Sequence, residues 1–199
     1  MKILALDTTR KVSTVSLWDT ETDSYTTKSY EERNNEGLLP MISGLLEESG
    51  YALTAIDRLG VCIGPGSFTG LRIGVTTMKS FAQMLGIPVF GIGLFEAMKE
   101  AAKEEGTPLL DARGGRVYYD DQGQAKIAQF SDLNLEKPIL FSNDPYTETM
   151  KEAIVLDDSP LSEIIAQRTA QKEGDGDWRS VFPEYVGVSQ AERNRKKDA

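Results

Sequence analysis

The chain contains no histidine. That excludes a Ser-His-Asp or Cys-His nucleophilic site within it. It equally excludes any metal site that needs an imidazole, the H-E-x-x-H type included. A Ser-Lys pair or a carboxylate pair stays open. Cysteine is nearly absent: Cys62 stands alone, so no disulfide can form within the chain, which suits a reducing compartment. No apolar run approaches the ~20 residues of a membrane span. The opening MKILALDTTR is too short for a secretory signal and is interrupted by Asp7. The expected location is cytoplasmic. Positive charge is in deficit: 22 Lys and Arg against 31 Asp and Glu leave a net charge of −9. Such a protein gains little from counterion release and is a poor candidate for gripping nucleic acid alone.

What remains is ordinary globular composition, 199 residues with 40% hydrophobic, enough for one large domain or two small ones. KILALD (2–7), STVSLWD (13–19) and SYTTKSYEE (24–32) read as an antiparallel meander. A helix over 36–50 follows, with Pro40 in its first turn and Gly50 as its stop. Strands over 58–64 and 87–93 then alternate with helices over 70–86 and 94–106. A second unit begins near Thr107 with three short strands to Phe130, then strands in KPILFSND and EAIVLDD. SPLSEIIAQRTAQ is a helix with Ser159 as N-cap and Pro160 at its first position. The division expected is a first lobe over 1–104 and a smaller one over 105–199. Strand-rich openings in both halves suggest a duplicated layout of mixed sheets flanked by helices.

Two loops invite a phosphate. CIGPGSFTGLRIG (62–74) places Gly64, Gly66 and Gly70, with Ser67, Thr69 and Arg72, where a strand becomes a helix. It fails the P-loop pattern, because Leu71 follows Gly70 where a lysine is required. It fails the dinucleotide fingerprint, because the third glycine falls one residue late. A strand end, a glycine turn and a helix start still aim free N–H groups at one spot. The same glycines could instead permit close packing, with Ser67 or Thr69 as a cap. Spacing leaves both readings open. Asp7, Thr8 and Thr9 pose the same choice, and with no second carboxylate nearby an Asx-type turn is favoured. Cys62 reads as core, Asp120-Asp121 and Asp157-Asp158 as turns, and EGDGDW departs from a calcium loop at Trp178 and Arg179. The basic tail RNRKKDA reads as a solvated end.

The first two helices carry more apolar surface than one sheet needs. Leu38, Leu39, Met41, Ile42, Leu45 and Leu46 span ~160° of the first, at ~100° per residue. Leu71, Ile73, Val75, Met78, Phe81, Ala82, Met84 and Leu85 span ~200° of the second. A helix on a sheet needs a stripe of roughly 100°. The expectation is a contact surface for another protein, built on Leu38, Met41, Ile42, Leu45, Val75, Met78, Phe81 and Leu85. Met41, Met78 and Met84 suit an adaptable one.

ILALDTT, GLLPMI, GPGSFTGLRIG, IPVFGI and LLDARGGRVYY occur in that order over residues 1–120, and FPEYV comes near the end. Together they resemble the TsaB (YeaZ-like) family. That resemblance implies an actin-like, Hsp70-like ATPase fold with ribonuclease H-like lobes, the second reduced. It implies a non-catalytic scaffold and activator that pairs with a TsaD-like catalytic subunit, with a TsaE-like ATPase joining. The complex would transfer threonylcarbamoyl to the adenosine beside the tRNA anticodon, so tRNA contact would be indirect. The resemblance further implies homodimers when alone, pairing through the two helices of the first lobe, and Asp7, Thr8, Thr9 and the glycine loop as vestigial phosphate loops. No metal and no tightly bound cofactor are expected, and ATP or ADP would bind weakly or only in the complex. Two departures stand out: no histidine precedes LLP, and Gly114-Gly115-Arg116 replaces the basic-then-acidic pair many members carry in DARRGEVY. The rival readings are an autonomous ATP-binding enzyme of this fold and a peptidase.

Overall fold

A computed structural model describes residues 1–31, 37–150, 152–157 and 160–187. Ser159, Asp158, the residues just before Gly37 and the basic tail lie outside them.

The first sheet opens with a meander, β1 (Lys2–Asp7), β2 (Ser13–Asp19) and β3 (Ser24–Tyr30). Helix α1 (Leu38–Ser49), β4 (Arg58–Gly64), α2 (Phe68–Leu85), β5 (Val89–Gly93) and α3 (Leu94–Ala102) follow. Spatial order is β3-β2-β1-β4-β5, antiparallel in the meander and parallel from β1 to β5. Period-two side chains divide the sheet's faces. Leu4, Leu6, Val15, Leu17, Leu59 and Val61 face one way, toward α1 and α2. Ile3, Ala5 and Cys62 face the other way, toward α3.

The second sheet repeats the plan. It contains β6 (Thr107–Asp111), β7 (Arg116–Asp121), β8 (Gln124–Gln129), β9 (Pro138–Phe141) and β10 (Ile154–Leu156), in the order β10-β9-β6-β7-β8. Again a meander pairs antiparallel and the later strands join in parallel. The copy is reduced: where β4 leads into the long α2, β9 leads into turns. Its outer face keeps a small cluster around Leu109, Val117 and Leu140.

Later elements return to the first sheet. Helix α4 (Leu161–Gln171) starts after Pro160, which is the N-cap residue rather than the first helical one. Ser162 Oγ lies 2.7 Å from Ser16 Oγ, and Arg58 donates to the Thr169 and Lys172 carbonyls at 3.3 and 2.9 Å. With Ile139 and Phe141 from β9, α3 and α4 fill the space between the sheets. Residues 174–187 then form a strap along the β5 edge. Val89 N donates to Gly176 O at 2.9 Å, and Glu184 N donates to Ile63 O at 2.6 Å. Covering an edge strand removes an unpaired ladder that could recruit another chain.

Candidate functional site

The two candidate phosphate loops meet and close on each other. Asp7 ends β1 fully buried. Its Oδ1 accepts from Thr9 N at 2.9 Å and from Thr9 Oγ1 at 2.6 Å, the Asx-type turn. Its Oδ2 accepts from Arg10 Nε at 3.1 Å. The Arg10 guanidinium lies 3.9 Å from the centre of the Phe141 ring, which β9 brings across from the second sheet. Asp7 and its cation are therefore paired inside the protein, over an aromatic face.

The glycines serve this contact. Thr8 Oγ1 donates to Gly70 O at 2.8 Å, and Ser67 N donates to Thr9 O at 2.7 Å. A Cβ on Gly70 would stand 1.9 Å from Thr8 O, one on Gly74 2.2 Å from Thr8 Oγ1, and one on Gly66 2.5 Å from Thr9 O. Only a bare backbone can approach that closely. Gly64 is enclosed from the other side, where a Cβ would meet Glu184 O at 2.8 Å. Ser67 caps α2, accepting from Gly70 N at 3.2 Å. Its side chain, Thr69 and Arg72 face solvent. The nine residues thus divide. Asp7, Thr8, Thr9, Gly64, Gly66 and Gly70 form a packed clasp, with Ser67, Thr69 and Arg72 outside it. Sequence reasoning missed Arg10, although a cation three residues after a strand-end aspartate was the available signal.

The second lobe has a matching corner. Asp111 ends β6 as Asp7 ends β1, and its Oδ1 accepts from Arg113 N at 2.8 Å. Asp144, buried after β9, accepts from Tyr146 N at 3.0 Å and Asp111 N at 3.2 Å. Burial pushes its carboxyl above the ordinary range, against the pull of those two N–H donors. The folded state therefore holds this proton more tightly than the unfolded chain does. The associated stability is present below the ordinary carboxylate range and is lost as pH rises through the raised value. Urea denaturation of wild type and Asp144→Asn from about pH 3 to pH 7 checks this. The wild type's stability relative to the variant is expected to fall with rising pH across that window.

The expected docking residues need correcting. Leu38, Met41, Ile42, Leu45, Val75 and Met78 are all buried in the monomer, at 7% exposure or less. They belong to the core between α1, α2 and the first sheet. The helical arcs counted only what a sheet covers. Tyr30, Tyr51, Leu53, Trp178 and the strap's Val181 pack against the same cluster and widen that cover. Phe81 and Leu85 are half-buried. Of the residues counted in the two arcs, those left outside are Leu39, 59% exposed, and Met84, 64% exposed.

Among the described residues, no group of three cysteines, aspartates or glutamates comes together as metal ligands. No helix there is long and apolar enough to cross a membrane.

The family model for TsaD, tRNA N6-adenosine threonylcarbamoyltransferase, matches residues 28–134, more than half of the chain. The protein named tRNA threonylcarbamoyladenosine biosynthesis protein TsaB in Escherichia coli (strain K12) is 36% identical over 124 residues, which cover 60% of this chain and 54% of that protein. The chain belongs to this TsaD-related family, on its TsaB/YeaZ side. The TsaB protein of Haemophilus influenzae is 31% identical over 64% of this chain and 56% of its own length. The chain thus spans about half the length of the curated TsaB relatives it matches. The solved structure titled YeaZ from Pseudomonas aeruginosa superposes with a TM-score of 0.71 at 23% identity, covering 93% of this chain and 99% of that one. The two mixed five-stranded lobes share the fold of that YeaZ structure.

Proposed function

We propose that this protein is a non-catalytic scaffold and activator in the threonylcarbamoyl modification of tRNA, pairing with a TsaD-like catalytic subunit. A TsaE-like ATPase joins them, and tRNA is reached through the complex. The relatives' names supply the reaction. The observation that carries the reading is the closed clasp: Asp7 is occupied by Thr9 and Arg10, and Thr8 by Gly70. A carboxylate so engaged is not free to hold a metal–phosphate. Function then falls to outer surfaces, and Leu39 on α1 and Met84 on α2 are the most exposed apolar side chains on those two helices among the described residues. Gel filtration of the full chain with a TsaD-like subunit tests this. A shift to a joint complex is expected, and separate elution would overturn it. Calorimetry of the chain alone with ATP and magnesium is expected to give no tight site.

A further inference from the structure

The side of α2 that meets the strap carries an open groove of about 340 Å³. Arg72, Lys79 and Gln83 line it from the helix, and Trp178, Pro183 and Tyr185 from the strap. No carboxylate lines it, on a chain whose net charge is −9. Neither Arg72 nor Lys79 has an ion-pair partner among the described residues. Rings surround these cations. Lys79 Nζ lies 4.5 Å from the Phe182 ring centre and 5.8 Å from that of Trp178. Arg72 lies 5.9 Å from Phe68, which stacks on Tyr185 at 4.5 Å. Phe68, Phe182 and Tyr185 are all exposed. This surface is separate from the docking anchor: Met84 lies roughly 110° around α2 from the Arg72–Thr76–Lys79–Gln83 row.

We propose that this groove binds single-stranded RNA, with bases stacking on Tyr185, whose ring packs on Phe68, and phosphates meeting Arg72 and Lys79. Exposed rings beside cations that lack a carboxylate partner are the surface that single strands use, because every base has a face to stack and every nucleotide a charge to neutralise; Lys79 Nζ spends one donor on Val181 O at 2.8 Å and keeps two. An acidic peptide would satisfy the cations but leave the exposed Phe68 and Tyr185 rings uncovered. The choice of RNA over DNA rests on the proposed role in tRNA modification. The acidic whole is no obstacle where the local lining carries only positive charge, though it keeps the contact weak and makes it an accessory to a complex.

Anisotropy of a labelled eight-nucleotide single-stranded RNA, titrated with the full chain, is the test. Arg72→Glu and Tyr185→Ala are each expected to weaken binding about tenfold. Lys99→Ala, on α3 behind the sheet, is expected to leave it unchanged. With two phosphates neutralised, the logarithm of affinity should fall against that of salt with a slope of about −1.4. Absence of saturable binding would overturn the proposal. So would binding indifferent to both groove variants, or binding lost only on deleting 188–199, which would assign it to the basic tail. Displacement of the RNA by a poly-glutamate peptide with the same variant dependence would give the groove to acidic peptides instead. Gel filtration of the same variants with the TsaD-like subunit separates the two readings. Arg72→Glu should still pair, and failure of pairing by wild type would sink the docking role while leaving the RNA titration to stand or fall alone.

Discussion

Gly70→Ala is expected to destabilise the fold by about 3 kcal/mol, read as a lower urea midpoint at unchanged slope. Helix propensity alone argues the opposite. Alanine inside a helix is favoured over glycine by about 1 kcal/mol. At position 70 that gain is overwhelmed, because the new methyl would sit 1.9 Å from the Thr8 carbonyl oxygen. That atom is backbone at the end of a buried strand and cannot swing aside. Relief requires α2 to back away from the β1–β2 turn, which breaks the Thr8 Oγ1 bond to Gly70 O and the Ser67 N bond to Thr9 O. Gly44→Ala is the internal control. It too is helical, but its methyl would meet only the flexible Lys28 side chain at 3.7 Å. It should stabilise by up to about 1 kcal/mol. Opposite signs for one chemical change would show that the glycine loop is a packing device. If Gly70→Ala were neutral or stabilising, the clasp would be wrong.

Met41→Asp and Leu39→Asp, two residues apart on α1, are expected to behave as different kinds of change. Met41 lies in the core beside Ile42, Leu45 and Met78. An aspartate there must bury a charge without a partner or take up a proton, and either costs several kcal/mol. A loss of about 4 kcal/mol or more is expected, with little folded protein left at 37 °C. Leu39 is 59% exposed, so its aspartate stays in water and stability should move by about 0.5 kcal/mol or less. Pairing with the catalytic subunit reverses the comparison: Leu39→Asp should abolish it in a well-folded protein. Far-UV circular dichroism melts, run beside gel filtration, separate the two outcomes. A Met41→Asp protein as stable as wild type would place that side chain at the surface after all.

Much of the architecture was legible because strand patterning is local. Lys2–Asp7, Ser13–Asp19 and Arg58–Gly64 are bounded by charged or turn residues that a reader of the chain can see. The repeated meander was visible as two strand-rich openings. The start of α2 was less so: Phe68 and Thr69 are already helical because Ser67 caps them, within a stretch that reads as a glycine turn. Burial on α1 and α2 was not legible, since an arc along one helix says nothing of the strap or of Tyr30 and Tyr51 packing from outside it. The return of α4 and residues 174–187 to the first sheet was hidden for the same reason. Their partners lie more than a hundred residues away, Ser16 146 from Ser162 and Lys79 102 from Val181. At the candidate site, the choice between phosphate loop and packing turn needed the Thr8–Gly70 distance, which no spacing encodes.

The most direct test combines this chain, a TsaD-like subunit, a TsaE-like ATPase, threonylcarbamoyl-adenylate and tRNA, and measures threonylcarbamoyladenosine formed with wild type and with Leu39→Asp/Met84→Asp. The expected result is stimulation by wild type that disappears in the double variant while its melting temperature holds. Full stimulation by the double variant, or product made by this chain without the catalytic subunit, would contradict a protein that works through its outer helical surface rather than through its closed clasp.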